Sequence, residues 1–164
     1  MLAMDLQPVI LPLAAGALAG ASLAQKPKPA TQQQLDALKL AVSKGGGSAL
    51  ISVAAVGLGA GLLALYKPKA GAAVFAVLGA GSLYSAIQSQ PGSTTRIVGL
   101  AGTAIAAGLA GTLAYGKPAA VKGAGMVAVG LGGASLSSSL IFLSDVSKMP
   151  ATIAELNAQN PPKV

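Results

Sequence analysis

Five stretches without a single charged side chain dominate the chain: residues 6–25, 45–66, 70–95, 97–116 and 123–144. They are 20, 22, 26, 20 and 22 residues long. At about 1.5 Å per helical residue, each is long enough to cross a hydrocarbon core of roughly 30 Å. Between them lie short polar punctuations rich in Pro, Gly and Lys. The pattern predicts transmembrane helices at residues 48–66, 70–88, 95–116 and 123–144. Connections of two to eight residues make consecutive helices antiparallel neighbours. The expected fold is therefore all-α: a polytopic helical membrane protein with a four-helix bundle of two antiparallel hairpins.

Two flanking segments complete the organisation. Residues 1–25 form an N-terminal hydrophobic segment in which Pro8 and Pro12 fall early, so that it reads as a kinked or tilted membrane helix. A cleavable signal with Ser22 and Ala24 before the cut is the alternative, although Asp5 and no basic residue precede it. Residues 26–47 open with Lys26-Pro27-Lys28-Pro29, an extended linker. Thr31 and Gln34 then have the spacing of a capping box. Leu35, Leu38 and Val42 recur on one face, so a short amphipathic helix should follow, lying on the membrane surface or bridging through solvent, and Gly45-Gly46-Gly47 should stop it. The C-terminal tail, residues 145–164, should leave the membrane, with Pro150 opening a short helical turn and Pro161-Pro162 ending it. This tail and the Pro-rich linker are expected to order only against a partner.

Composition strengthens the membrane reading. Hydrophobic residues make up 53% of the 164, and charged ones only 9%, against about 25% in an ordinary soluble domain. Eleven basic and four acidic residues leave a net charge of +7. In a soluble protein that imbalance would suggest nucleic acid, but the aromatics and dense basic patch such binding uses are missing, so no nucleic-acid partner is expected. The lysines instead flank membrane segments and meet anionic headgroups. Tyr66, Lys67 and Lys69 at one corner, and Tyr115, Lys117 and Lys122 at another, read as interface anchors. Seven basic residues fall on the side of the linker, Arg96 and the tail, and four on the side of these corners, which leans the tail toward the cytosolic, stromal or matrix side. The corners at Tyr66-Lys67-Pro68 and Tyr115-Gly116-Lys117-Pro118, with Gly79 and Gly81 echoed by Gly130 and Gly132, suggest a repeated hairpin.

The chemistry inside the spans is that of packing. They contain no Asp, Glu, Lys, Arg or His, which disfavours ion coupling and proton relay. The chain has no His and no Cys, so side-chain ligation of haem, iron–sulfur or zinc has almost nothing to work with. No nucleophile has a base at its depth, and an enzyme is not expected. Small residues recur at close-packing intervals, and Gly57, Gly61, Gly79, Gly81, Gly108, Gly111, Gly130 and Gly132 are the expected helix-packing positions. Ser and Thr in the spans can bond carbonyls three or four residues back. The run from Ser135 to Ser139 has a second reading, as the lining of a polar groove.

From about residue 48 to 143 the pattern resembles the transmembrane protein 14 family, whose plastid members are known as fatty acid export proteins. The resemblance is carried by "AGAAVFAVLGAGSLYSAIQSQPGS", a small-residue helix ending in a polar Pro loop, and by "VGLAGTAIAAGLAGTLAYGKPAAVKGAGMVAVGLGGASLSS", with its Gly-Lys-Pro corner and final Gly-Ser helix. It implies four compact helices in an organelle membrane, plastid or mitochondrial, that move fatty acids or porphyrin precursors. It also implies a face for hydrophobic cargo at Gly102, Gly108, Gly111, Gly130 and Gly132. No cofactor is expected beyond a bound lipid or pigment. The reading from the residues alone offers a different role, a structural accessory subunit of a photosynthetic or respiratory membrane complex, surrounded by lipid and other membrane protein subunits. A viral or secretion-related membrane protein is a third.

Overall fold

The computed structural model describes residues 7–24 and 26–159, and those residues are helical apart from short connections. In chain order the helices are α1 (Gln7–Leu23), α2 (Gln32–Ala41), α3 (Gly47–Tyr66), α4 (Pro68–Gln88), α5 (Thr94–Tyr115), α6 (Pro118–Ser147) and α7 (Ile153–Gln159). Helices α4 and α6, together with Arg96–Tyr115 of α5, are long and apolar enough to cross a membrane. Counting α2 and α3 as one bent span gives a fourth. The protein is thus an all-α polytopic chain of the expected class.

The two corners explain how long helices reverse in almost no sequence. Lys67 alone separates α3 from α4; its N–H donates to the Leu63 carbonyl at 2.7 Å, and its own carbonyl accepts from the Gly71 N–H at 2.9 Å. Pro68 does not lie in the gap between spans, where the readings at 48–66 and 70–88 leave it, but is the first residue of α4. Proline suits that position, since its fixed φ is helical and its missing N–H would have had no partner there. Pro118 begins α6 in the same way, after Gly116 and Lys117 turn the chain out of α5. At the opposite end, Gly92 (φ +79°) turns α4 toward α5, and the Ser93 hydroxyl accepts from the Arg96 N–H at 3.2 Å as the N-cap.

The second helix stops at the glycine run, as expected. A widened turn over Val42–Gly46 joins α2 to α3, with Gly45 at φ +101°, and the two helices meet at a bend of 54°. Lys44 (φ −79°, ψ 19°) and Gly45 have both left helical geometry, Gly45 to the left-handed side that commonly ends a helix, so α2 and α3 are two helices joined across a kink. Thr31 caps α2 through Gln34 N–H as expected, at 3.3 Å. The return bond of the capping box is shifted by one residue: Gln34 Oε1 accepts from the Ala30 N–H at 2.8 Å rather than from Thr31.

The tertiary arrangement centres on α6. One of its faces takes α3, antiparallel, and another takes α1, parallel. Helix α4 pairs most extensively with α5 across the Gln88–Thr94 connection. Within the hairpins, α3 meets α4 and α5 meets α6 mainly near the lysine corners, where Ala60, Ala64, Ala72, Phe75, Leu109 and Leu113 close a common core. Sequence connectivity predicted the antiparallel neighbours, but the larger interfaces join one hairpin to the other. Thirty residues give α6 a length of about 45 Å, more than the span read at residues 123–144, so it carries Lys122 and Asp145 beyond either end of that apolar stretch.

Candidate functional site

Helix α6 lies between two ladders of backbone contact. Toward α1, Gly16 sits on the Gly130 backbone and Gly20 on Ala134, while a Cβ added to Gly133 would come within 2.9 Å of the Leu13 carbonyl oxygen. Toward α3, a Cβ on Gly61 would be 2.7 Å from Ala128 backbone atoms, one on Gly132 2.5 Å from Leu58 Cα, and one on Gly125 2.9 Å from Leu65 Cα. Real Cβ atoms need about 3.4 Å for ordinary contact, so these helices touch main chain to main chain. Lipid tails are as apolar as leucine and do not drive helices together, so this approach, which only Gly permits, supplies the dispersion contact that holds the bundle.

The glycines singled out from spacing divide into two groups. Gly61, Gly130 and Gly132 lie in the α6 ladders, and Gly79 meets Ala106 Cβ of α5, 3.2 Å from its own Cβ position. Gly57 has nothing within 4 Å of its Cβ position, although its carbonyl carbon is 3.1 Å from where a Gly132 Cβ would sit. Gly81, Gly108 and Gly111 open onto empty space. Gly16, Gly20 and Gly133 of the ladder toward α1 lie outside those eight positions, and so do three further close contacts: Gly71 against Ala64 at the first corner, Gly99 against Ala86 and Ser82, and Gly125 against Leu65. Gly71 was the most findable, because a one-residue corner forces the first turn of α4 across the last turn of α3.

The five glycines that the family resemblance would group around a cargo do not share a face. Gly130 turns to α1, Gly132 to α3 and Gly102 to Ser82 of α4. Gly108 lines an open groove of about 440 Å³ between α5 and α6, together with Ile105, Thr112, Gly123 and Val127. Several hydroxyls in the spans bond carbonyls of their own helices: Thr103 donates to Gly99 O at 2.8 Å, Thr112 to Gly108 O at 2.9 Å, and Ser137 and Ser138 to the carbonyls of Ala134 and Ser135, each at 3.1 Å. Within the serine run, Ser137 and Ser138 thus spend their hydroxyls on their own backbone, while the Ser135 and Ser139 side chains make no hydrogen bond among the described residues. Tyr84 is 68% exposed and makes no hydrogen bond among the described residues.

At the corner end, residues of both turns enclose a notch of about 640 Å³. Lys67 and Lys69 line it from one side, and Gly116 and Pro118, either side of Lys117, from the other. Tyr115 is 92% exposed beside it, and Tyr66 is exposed on the first corner. The anchors predicted at the two corners are therefore neighbours at one end of the bundle.

The other end holds a clasp that the sequence did not announce. Gln32 Nε2 donates to the Ala151 carbonyl at 3.1 Å while its Oε1 accepts from the Ile153 N–H at 2.8 Å, and Lys39 Nζ donates to the Pro150 carbonyl at 2.7 Å. Leu35 beneath them is fully buried. The tail thus orders against α2 of its own chain, not only against a foreign partner, because one amide side chain satisfies a donor and an acceptor of the tail backbone together. Helix α7 starts at Ile153, later than Pro150 suggested, with Thr152 Oγ1 accepting from the Glu155 N–H at 3.3 Å. The Pro161-Pro162 stop lies outside the described residues. Asp145 Oδ2 is buried near this end with no partner among the described residues. No group of three potential metal-ligating side chains gathers among the described residues. No family model, curated protein or solved structure matches the chain.

Proposed function

We propose that the protein is a non-enzymatic structural component of a membrane assembly, associating laterally with other membrane protein subunits. The observation that carries this reading is the closure of the α1–α6–α3 interfaces by main-chain contact at Gly16, Gly61, Gly132 and Gly133. A carrier must open space between its helices, and opening here would forfeit the contacts that hold them. The outward surface supports the same role: α5 has only 11% of its apolar window buried and presents Ile97, Val98 and Ile105 outward. Such a face is covered by lipid or by another subunit. The glycine ladder onto α6 likewise favours α1 as a retained member of the bundle over a cleaved signal.

A second reading, a carrier for fatty acids or porphyrin precursors in an organelle membrane, draws on the open α5–α6 groove, which Gly108 lines. Gentle solubilisation of the source membrane followed by a native gel separates the two. Migration with a large complex at fixed stoichiometry is the expected result. A monomer or small oligomer that retains a fatty acid or tetrapyrrole would overturn the structural reading.

A further inference from the structure

We propose that the two lysine corners together form a binding site for the headgroup of an anionic phospholipid. The notch between them has an apolar floor of Leu113, Ala114 and Val121, with Lys67 and Lys69 on its rim. Lys117 and Lys122 flank it in sequence, and all four ammonium groups belong to exposed residues. The acidic residues among those described, Asp36 on α2, Asp145 in the last turns of α6 and Glu155 on α7, lie at the opposite end of the bundle. Two cations therefore rim the notch, two more stand next to its lining residues in sequence, and no described carboxylate lies at this end to neutralise them.

Their placement is also wrong for the helices that carry them. Lys67 and Lys117 are the N-cap residues of α4 and α6, and Lys69 is in the first turn of α4. Cations at a helix N-terminus oppose its dipole. Neither N-cap supplies a side-chain hydrogen bond, whereas at the other end Thr31 and Ser93 cap α2 and α5. A chain selected only to fold would place Ser, Thr or Asp here. The conflict disappears when an anion occupies the notch, accepting from the lysines while the helix ends favour its charge. The floor decides which anion. A free phosphate gains nothing from Leu113 and Val121, but the glycerol and first methylenes of a phospholipid cover them, at the depth where the exposed Tyr115 ring also sits.

The test is lipid selection by the full-length protein purified from mixed vesicles of phosphatidylcholine and phosphatidylglycerol, with the retained lipid quantified. One lysine at an anionic surface corresponds to roughly a fivefold preference. With two lysines on the rim, wild-type protein should hold phosphatidylglycerol enriched about 25-fold over the bulk. The quadruple variant K67Q/K69Q/K117Q/K122Q should retain lipid at the bulk ratio. If that variant does not fold, the pair K67Q/K69Q should lose most of the enrichment. A control with K26Q/K28Q/K44Q, which removes charge from the other end, should keep it. Equal loss in both sets, no enrichment in wild type, or displacement of the lipid by millimolar inorganic phosphate alone would each overturn the proposal.

Discussion

The substitution Gly61→Ala isolates main-chain packing between helices. The added methyl would sit 2.7 Å from the carbonyl carbon and oxygen of Ala128 and the same distance from Val129 N. Ordinary contact begins near 3.4 Å, a shortfall of 0.7 Å (3.4 − 2.7). The opposing atoms are helix backbone, which cannot change rotamer, so α3 and α6 must separate along several neighbouring contacts. Gaps of that size forfeit about a quarter to a half of each dispersion well, and overpacking of this kind costs about 1–3 kcal/mol. Gly108→Ala is the matched control, since nothing lies within 4 Å of its Cβ position. Both changes gain the same helix propensity, about 1 kcal/mol, and that gain cancels in the comparison. Gly61→Ala should therefore be about 1–3 kcal/mol less stable than Gly108→Ala, measured by reversible unfolding in mixed micelles followed by far-ultraviolet circular dichroism. Adding Ala128→Gly should not rescue it, because the clash is with backbone. At Gly79 the nearest atom is instead the Ala106 methyl, so Ala106→Gly should relieve Gly79→Ala. Equal stabilities for the Gly61 and Gly108 variants, or rescue by Ala128→Gly, would refute the reasoning.

Three further outcomes follow from local geometry. Gln32→Ala removes two hydrogen bonds to the tail and should cost about 1–2 kcal/mol locally, seen as faster amide exchange over residues 150–159 with the spans unchanged. Ser93→Ala deletes the α5 cap and should lower stability by about 1 kcal/mol in the same unfolding assay, with Ser93→Asp close to wild type. Gly92→Ala forces a side chain to φ +79° and should cost about 1–2 kcal/mol even though the space around it is open, whereas Gly81→Ala, equally open but helical, should not.

Charge segregation made the helices legible in the sequence, because a run such as 123–144 without an ionisable group is too long and too apolar to form the wetted face of a soluble helix. The corners were legible as breaks between spans, but the helix starts at Pro68 and Pro118 were not, since the uncharged spans begin at residues 70 and 123, where the charges end. What spacing could not supply was partnership. Gly108 and Gly111 carry the same small-residue signal as Gly61, yet face open space, because helical periodicity records that a surface is smooth and not what lies against it. The pairing of α6 with α1 and α3 joins segments far apart in sequence, which no local pattern encodes. The Gln32 clasp was hidden for the same reason, as a polar residue in the first turn of a helix normally reads as solvated.

The central claim is a membrane-spanning chain with both lysine corners on one face and the α4–α5 turn and tail on the other. The sequence contains no cysteine, so single replacements report position without background. Lys69→Cys, Lys122→Cys, Gln90→Cys and Ala151→Cys, each in sealed vesicles of uniform orientation, should react with a membrane-impermeant maleimide in two pairs. The first two should label from one side, and the last two only from the other or after the vesicles are opened. Labelling of all four from the same side in intact vesicles would contradict the account.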